Sequence, residues 1–299
     1  MKNNKDIDIS AVLKVLAYYD VFDYPLTFDE VFIFSQGFSE DQVATELKKL
    51  TEDSVVYKVR NFYSLKNDTE RVINREQGNK RAKVFTRKAI KRAKLISKFP
   101  YVRAVFISGS FSKGYVTLDG DIDYFVITKH NRMWFARTVL ILYKKVFLFN
   151  SRKFFCVNYF LGEKDLKIDQ NNVFTATEIF TLMPIINKKI YKVLIEENQW
   201  SEEYYDFNKI KNHDIIEYKS TFFQTILESF FNNKIGEKLD LYCMKLTLKR
   251  WERKFPDLPK IDFNIAFKST RNVSKHHPSN FQKKVLDSYN KTINNLRNV

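Results

Sequence analysis

Two aspartates, Asp121 and Asp123, flank Ile122 at the start of a largely apolar run, 121–128, with apolar residues at 122, 125, 126 and 127. If that run is a strand, side chains at i and i+2 share a face, so the two carboxylates lie side by side. Paired carboxylates repel each other and gain most from a divalent cation between them. Mg²⁺ or Mn²⁺ suits such a pair, because hard cations take oxygen ligands and keep open positions for water and phosphate oxygens. A second group of residues precedes the pair. Residues 102–107 are rich in β-branched and aromatic types and end in Ser108-Gly109-Ser110, followed by Phe111, Ser112, Lys113 and Gly114. Glycine at 109 lets a backbone approach a phosphate closely, and a helix starting near Ser110 would turn free amides toward the same anion. Ser110, Ser112 and Lys113 add hydroxyl donors and a cation. Together these residues point to triphosphate binding beside a metal.

The order is a strand, Gly-Ser, a second glycine at 114, and acidic-apolar-acidic opening the next strand. It resembles the core signature of the DNA polymerase β-like nucleotidyltransferase superfamily. Gly109, Ser110, Gly114, Asp121 and Asp123 match position by position. The resemblance implies that Asp121 and Asp123 bind the catalytic metal and that the Gly109-Ser110 turn holds the triphosphate. It also implies a third acidic position on a later strand, for which the candidate is 154–161. The central polar residue there is Asn158, which can ligate a metal but cannot act as a base near neutral pH. Three outcomes stay open: two carboxylates suffice, another residue moves in, or catalysis is weak or lost. The segment 166–205, with Asn172, Glu178, Pro184, Asn198 and Trp200, also resembles a loosely defined group of bacterial nucleotidyltransferase-domain proteins without assigned substrate.

These residues need a scaffold. A helix over 9–20, a second over 28–34 capped by Thr27, and a third after Ser39, with Gln42 completing a capping box, precede two short extended pieces at 54–59 and 61–65. Three helices and a hairpin describe a winged-helix unit, 1–67. It carries 8 basic and 11 acidic side chains. That acidic balance opposes DNA binding by the third helix, since phosphate neutralisation supplies most non-specific affinity. Residues 68–100 reverse the sign with 11 basic and 3 acidic. A long helix there has Ala82, Phe85, Ala89, Ala93 and Ile96 on one stripe, with Lys80, Arg87, Lys91, Lys94 and Lys98 opposite. Residues 80–98 are thus a candidate nucleic-acid contact. Residues 133–149 read as a helix crossing over the sheet. From about 174 onward the chain reads as helical, interrupted at Pro184, and His276 and His277 are loop candidates for phosphate contact.

The expected fold is α+β: a small mixed-sheet nucleotidyltransferase core (68–165) with its leading basic helix, an N-terminal winged-helix-like domain (1–67) and a helical C-terminal domain (166–299). Only 7 glycines and 6 prolines argue against a turn-rich sandwich. Cys156 and Cys243 have no metal or disulfide spacing, no signal peptide is evident, and the apolar stretch at 133–149 is broken by Arg137, Lys144 and Lys145. The expectation is a cytoplasmic protein without membrane contact. Its net charge of +16 favours an anionic ligand. The function expected is transfer of a nucleotidyl group from a nucleoside triphosphate such as ATP to an acceptor: a small molecule, a protein or an RNA end. The alternative is a nucleotide-sensing or catalytically weak DNA- or RNA-binding regulator.

Overall fold

The computed structural model describes residues 9–151, 153–210, 214–256, 267, 269–275 and 281–297, and the chain is α+β. The N-terminal part opens with α1 (Ala11–Asp20), whose first turn is capped by Ser10. β1 (Leu26–Thr27) leads into α2 (Phe28–Phe34), and α3 (Glu40–Glu52) follows. Both capping boxes form, Thr27 with Glu30 and Ser39 with Gln42, so each helix start satisfies two otherwise orphaned amides. β2 (Tyr57–Val59) and β3 (Phe62–Ser64) make the hairpin, which turns at Arg60. β1 joins them in the order β1-β3-β2.

This unit is firmly docked. Its core includes Ala176, Phe180, Tyr205 and Val285 from later in the chain. The Lys209 ammonium donates to the carbonyls of Phe32, Ser35 and Phe38 at 3.1, 3.0 and 3.1 Å.

α4 (Thr69–Ile96) is capped by Asp68. Ala82, Ala89, Ala93 and Ile96 are buried as the spacing requires, and Lys80, Arg87, Lys91, Lys94 and Lys98 are exposed. A five-stranded sheet follows in the order β7-β4-β5-β6-β8. It is built from β4 (Val102–Ser108), β5 (Asp123–Thr128), β6 (Cys156–Gly162), β7 (Met183–Ile186) and β8 (Val273–Lys275). β5 and β6 are parallel, joined by α6 (Met133–Phe147), and the other pairs are antiparallel. A parallel pair needs such a crossover. The remaining helices are the single turn α5 (Gly109–Ser112), α7 (Val173–Phe180), α8 (Lys188–Glu197), α9 (Phe222–Phe231), α10 (Lys234–Lys254) and α11 (Phe281–Arg297).

Strand alternation divides the core into two layers. Val105, Ile107, Tyr124, Val126 and Val157 pack with Ala89 and Ala93 of α4, Leu140 of α6 and Trp251 of α10. Ala104, Phe106, Phe125, Ile127 and Leu161 pack with Ile179 of α7 and Leu194 of α8.

Two expectations change. The second strand starts at Asp123, not at 121: β4 ends at Ser108 opposite Asp123, so Asp121 has no ladder partner there. The stretch beyond 165 is not wholly helical, because it supplies both edge strands, β7 and β8. Pro184 sits within β7, where an edge position tolerates its missing N–H. Among the described residues no helix is long and apolar enough to cross a membrane.

Candidate functional site

β4 and β5 end side by side, and the chain must turn sharply where they do. Gly109 makes that turn with φ +70°, and a Cβ there would lie 2.7 Å from Oδ2 of Asp123. Glycine is therefore required both by the left-handed backbone and by the closeness of the carboxylate. α5 then folds back on itself. The Ser112 hydroxyl donates to the Gly109 carbonyl at 2.9 Å, and the Lys113 ammonium donates to the same oxygen at 3.1 Å. Ser110 is exposed beside them. The Tyr24 hydroxyl donates to the Lys113 carbonyl at 2.6 Å, which ties the N-terminal unit to the turn.

Although Asp121 lies outside the strand, it stays close to Asp123. Ligand atoms of Asp121, Asp123 and Cys156 all fall within 4.8 Å of one another. The β5–β6 register shifts between Tyr124 and Phe125, leaving Asn158 opposite no single partner. Its amide donates to Oδ1 of Asp123 at 2.9 Å. Asn158, the expected third position, thus orients one member of the acidic pair. Burial pushes the Asp123 carboxyl up to about 7, and the neighbouring Asp121 charge adds to it; hydrogen bonds from Cys156 and Asn158 act in the other direction. Burial, followed by the two aspartates, also raises the Cys156 thiol, so it stays protonated at neutral pH.

Two residues join the site beyond the expected set, Cys156 and Glu178. Glu178 of α7 accepts the Gly109 N–H at 3.2 Å and the Lys113 ammonium at 2.7 Å. The turn expected to hold phosphate therefore already holds a carboxylate. Glu178 is the single charged side chain in the sequence VFTATEIF of α7, a helix otherwise made of apolar residues and threonine. A lone carboxylate on a helix buried on several sides is the signal that could have found it. Of the acidic residues following β6, Asp165 is engaged by His130 at 2.8 Å. His276 and His277 lie outside the described residues.

Asn158 borders two cavities. One, of about 100 Å³, is mostly apolar and is reached by Asp123, Gly109, Phe125 and Glu178. The other, of about 530 Å³, is lined by Asp121, Cys156, Arg137, Lys144, Arg250 and Trp251, among others.

No family model, curated protein or solved structure matches the chain.

The site's chemistry is thus argued from its geometry. Two carboxylates, one of them disfavoured as an anion by burial and then by its neighbour, form a donor set that fits a hard divalent cation. The protonated thiol of Cys156 is a poor ligand for such an ion and serves as a hydrogen-bond donor to the carboxylates instead.

Proposed function

We propose that this protein is a metal-dependent nucleotidyltransferase. It moves a nucleoside monophosphate from a nucleoside triphosphate to an acceptor hydroxyl and releases pyrophosphate. The observation that carries the reading is the meeting of Asp121 with Asp123, whose carboxylate lies against the Gly109 turn and is pushed up to about 7. Asp121 and Asp123 would hold Mg²⁺ or Mn²⁺, which when bound supplies charge neutralisation on the phosphates. Asn158 holds Asp123 in one orientation. The Gly109 amide, the hydroxyls of Ser110 and Ser112, and Lys113 provide phosphate donors once Glu178 yields its two hydrogen bonds. The resemblance to the DNA polymerase β-like superfamily supports the same assignment.

In this reading residues 1–67 are a winged-helix-like domain, 68–165 the transferase core, and 166–299 a largely helical part that closes over it. The exposed basic side of α4, across 80–98, is a candidate contact for nucleic acid. The outward side of α3 carries Glu40, Asp41 and Glu52 with Lys48 and Lys49, which disfavours insertion into a DNA groove.

A second reading has its own support. Glu178 occupies the Gly109 amide and Lys113, and Asn158 stands where the superfamily pattern has an acid. Both fit a nucleotide-sensing or catalytically weak regulator. Pyrophosphate release separates the two. The transferase reading expects Mg²⁺-dependent release from at least one nucleoside triphosphate, abolished in Asp121→Asn. Metal-dependent binding without release in any acceptor mixture would favour the sensor.

A further inference from the structure

Arg137 is a buried cation with no ion-pair partner among the described residues. It projects from α6, is 7% exposed, and lies over the Trp251 ring at 4.8 Å. Its Nε has no hydrogen-bond partner, and no carboxylate pairs with it among the described residues. Burial and the neighbouring Arg250 push its guanidinium down to about 10, so it still carries its charge at neutral pH. A buried, unpaired ion is costly unless a counter-ion arrives.

Its surroundings indicate what that counter-ion is. Arg137 lines the cleft of about 530 Å³ together with Lys144, Lys145, Arg250 and Lys254, and among the described residues the one acidic side chain on the lining is Asp121. Five cations around a cleft favour a ligand with more than one negative oxygen, and a guanidinium fork matches phosphate geometry. The cleft reaches Asp121 and Asn158, whereas the Gly109 turn opens into the other cavity, across Asn158. An anion in the cleft would therefore lie against Asp121 and Asn158, while Asp123 and the Gly109 turn line the other cavity.

We propose that the cleft between α6 and α10 is the acceptor site and that the acceptor carries a phosphate ester, held by Arg137, Arg250 and Lys254 beside Asp121. This inference rests on the transferase reading for the word acceptor, but the phosphate site itself can be measured separately. The phosphate ester has two sources, a phosphorylated small molecule or a nucleic-acid end.

Two probes distinguish these sources: adenosine 5′-monophosphate by calorimetry, and a short single-stranded RNA by fluorescence anisotropy across a salt series. Each is titrated into wild type, Arg137→Met and the surface double variant Arg250→Gln/Lys254→Gln, with nucleoside triphosphate and Mg²⁺ titrated in parallel. The double variant alters exposed side chains only, so it keeps the test open if Arg137→Met fails to fold. The expected result is binding of one or both probes to wild type, weakened about tenfold or more in the variants, while triphosphate binding stays within about twofold. For RNA, the slope of log affinity against log salt should also fall by about 1 for each phosphate contact removed. Binding of the monophosphate alone assigns a small acceptor, and a steep salt slope with RNA assigns a nucleic acid. The proposal is overturned if neither probe binds, if the variants bind as wild type does, or if the variants lose triphosphate instead. Failure of any triphosphate to bind wild type, with the probes behaving as expected, would remove the transferase reading and leave a phosphate site without the acceptor role.

Discussion

Arg75 and Arg137 are both buried arginines, yet their surroundings are opposites. Arg75, 3% exposed on α4, is paired with Glu30, donates to the Pro25 carbonyl and to Asn79, and lies over the Tyr24 ring at 3.7 Å. Arg137 has aromatic rings around it but no counter-ion among the described residues. The first arrangement joins α4 to the N-terminal unit. The second leaves a charge unsatisfied next to a cleft and an acidic pair. A folded chain balances buried charges where their role is structural, so an unbalanced one marks a place prepared for something not covalently part of the chain.

The comparison can be broken in three ways. The largest effect is expected from Arg75→Met. It leaves Glu30 without its partner and should destabilise the fold by about 3–5 kcal/mol in urea denaturation; a loss under about 1 kcal/mol would dissolve the contrast. Next comes Asp123→Asn, examined without metal. The carboxyl titrates near 3.8 in an unfolded chain and near 7 in the fold. Between those values the folded state keeps a proton that the unfolded state has lost, so stability falls as pH rises through the window. The variant should lack that fall and, above about pH 7, be more stable than wild type by about 1–2 kcal/mol, discounted for partial exposure. Equal pH profiles for variant and wild type would show that burial and the Asp121 charge do not hold the Asp123 carboxyl up. The smallest effect is expected from Arg137→Met, which replaces an unpaired buried cation by an apolar chain. Stability should change by less than about 1 kcal/mol despite the burial. A loss as large as that of Arg75→Met would mean that Arg137 is a structural residue.

The helices of the N-terminal unit were readable because local rules set them: Thr27 and Ser39 are strong caps, and their boxes close within four residues. The turn and the acidic pair were readable for the same reason, since Ser108 to Asp123 spans one strand end to the next. What escaped is tertiary. β7 and β8 have only 4 and 3 residues, too few to show alternation, and they exist because β4 and β6 would otherwise be open edges. Glu178 reaches Gly109 across 69 positions in the chain, and no local period encodes that meeting. Cys156 carried no recognisable spacing to any ligand, yet the parallel register sets it directly beside Asp123. Asp121 was expected to open the strand, on the same face as Asp123; where the strand starts is decided by where β4 ends.

The central claim is that Asp121 and Asp123 hold a metal on which a nucleoside triphosphate binds. Calorimetric titration of each nucleoside triphosphate with Mg²⁺ into wild type and into the double variant Asp121→Asn/Asp123→Asn tests it most directly. The account predicts metal-dependent binding of at least one triphosphate to wild type and none to the double variant. Binding that survives in the variant, or that is absent from wild type for every triphosphate, would contradict it.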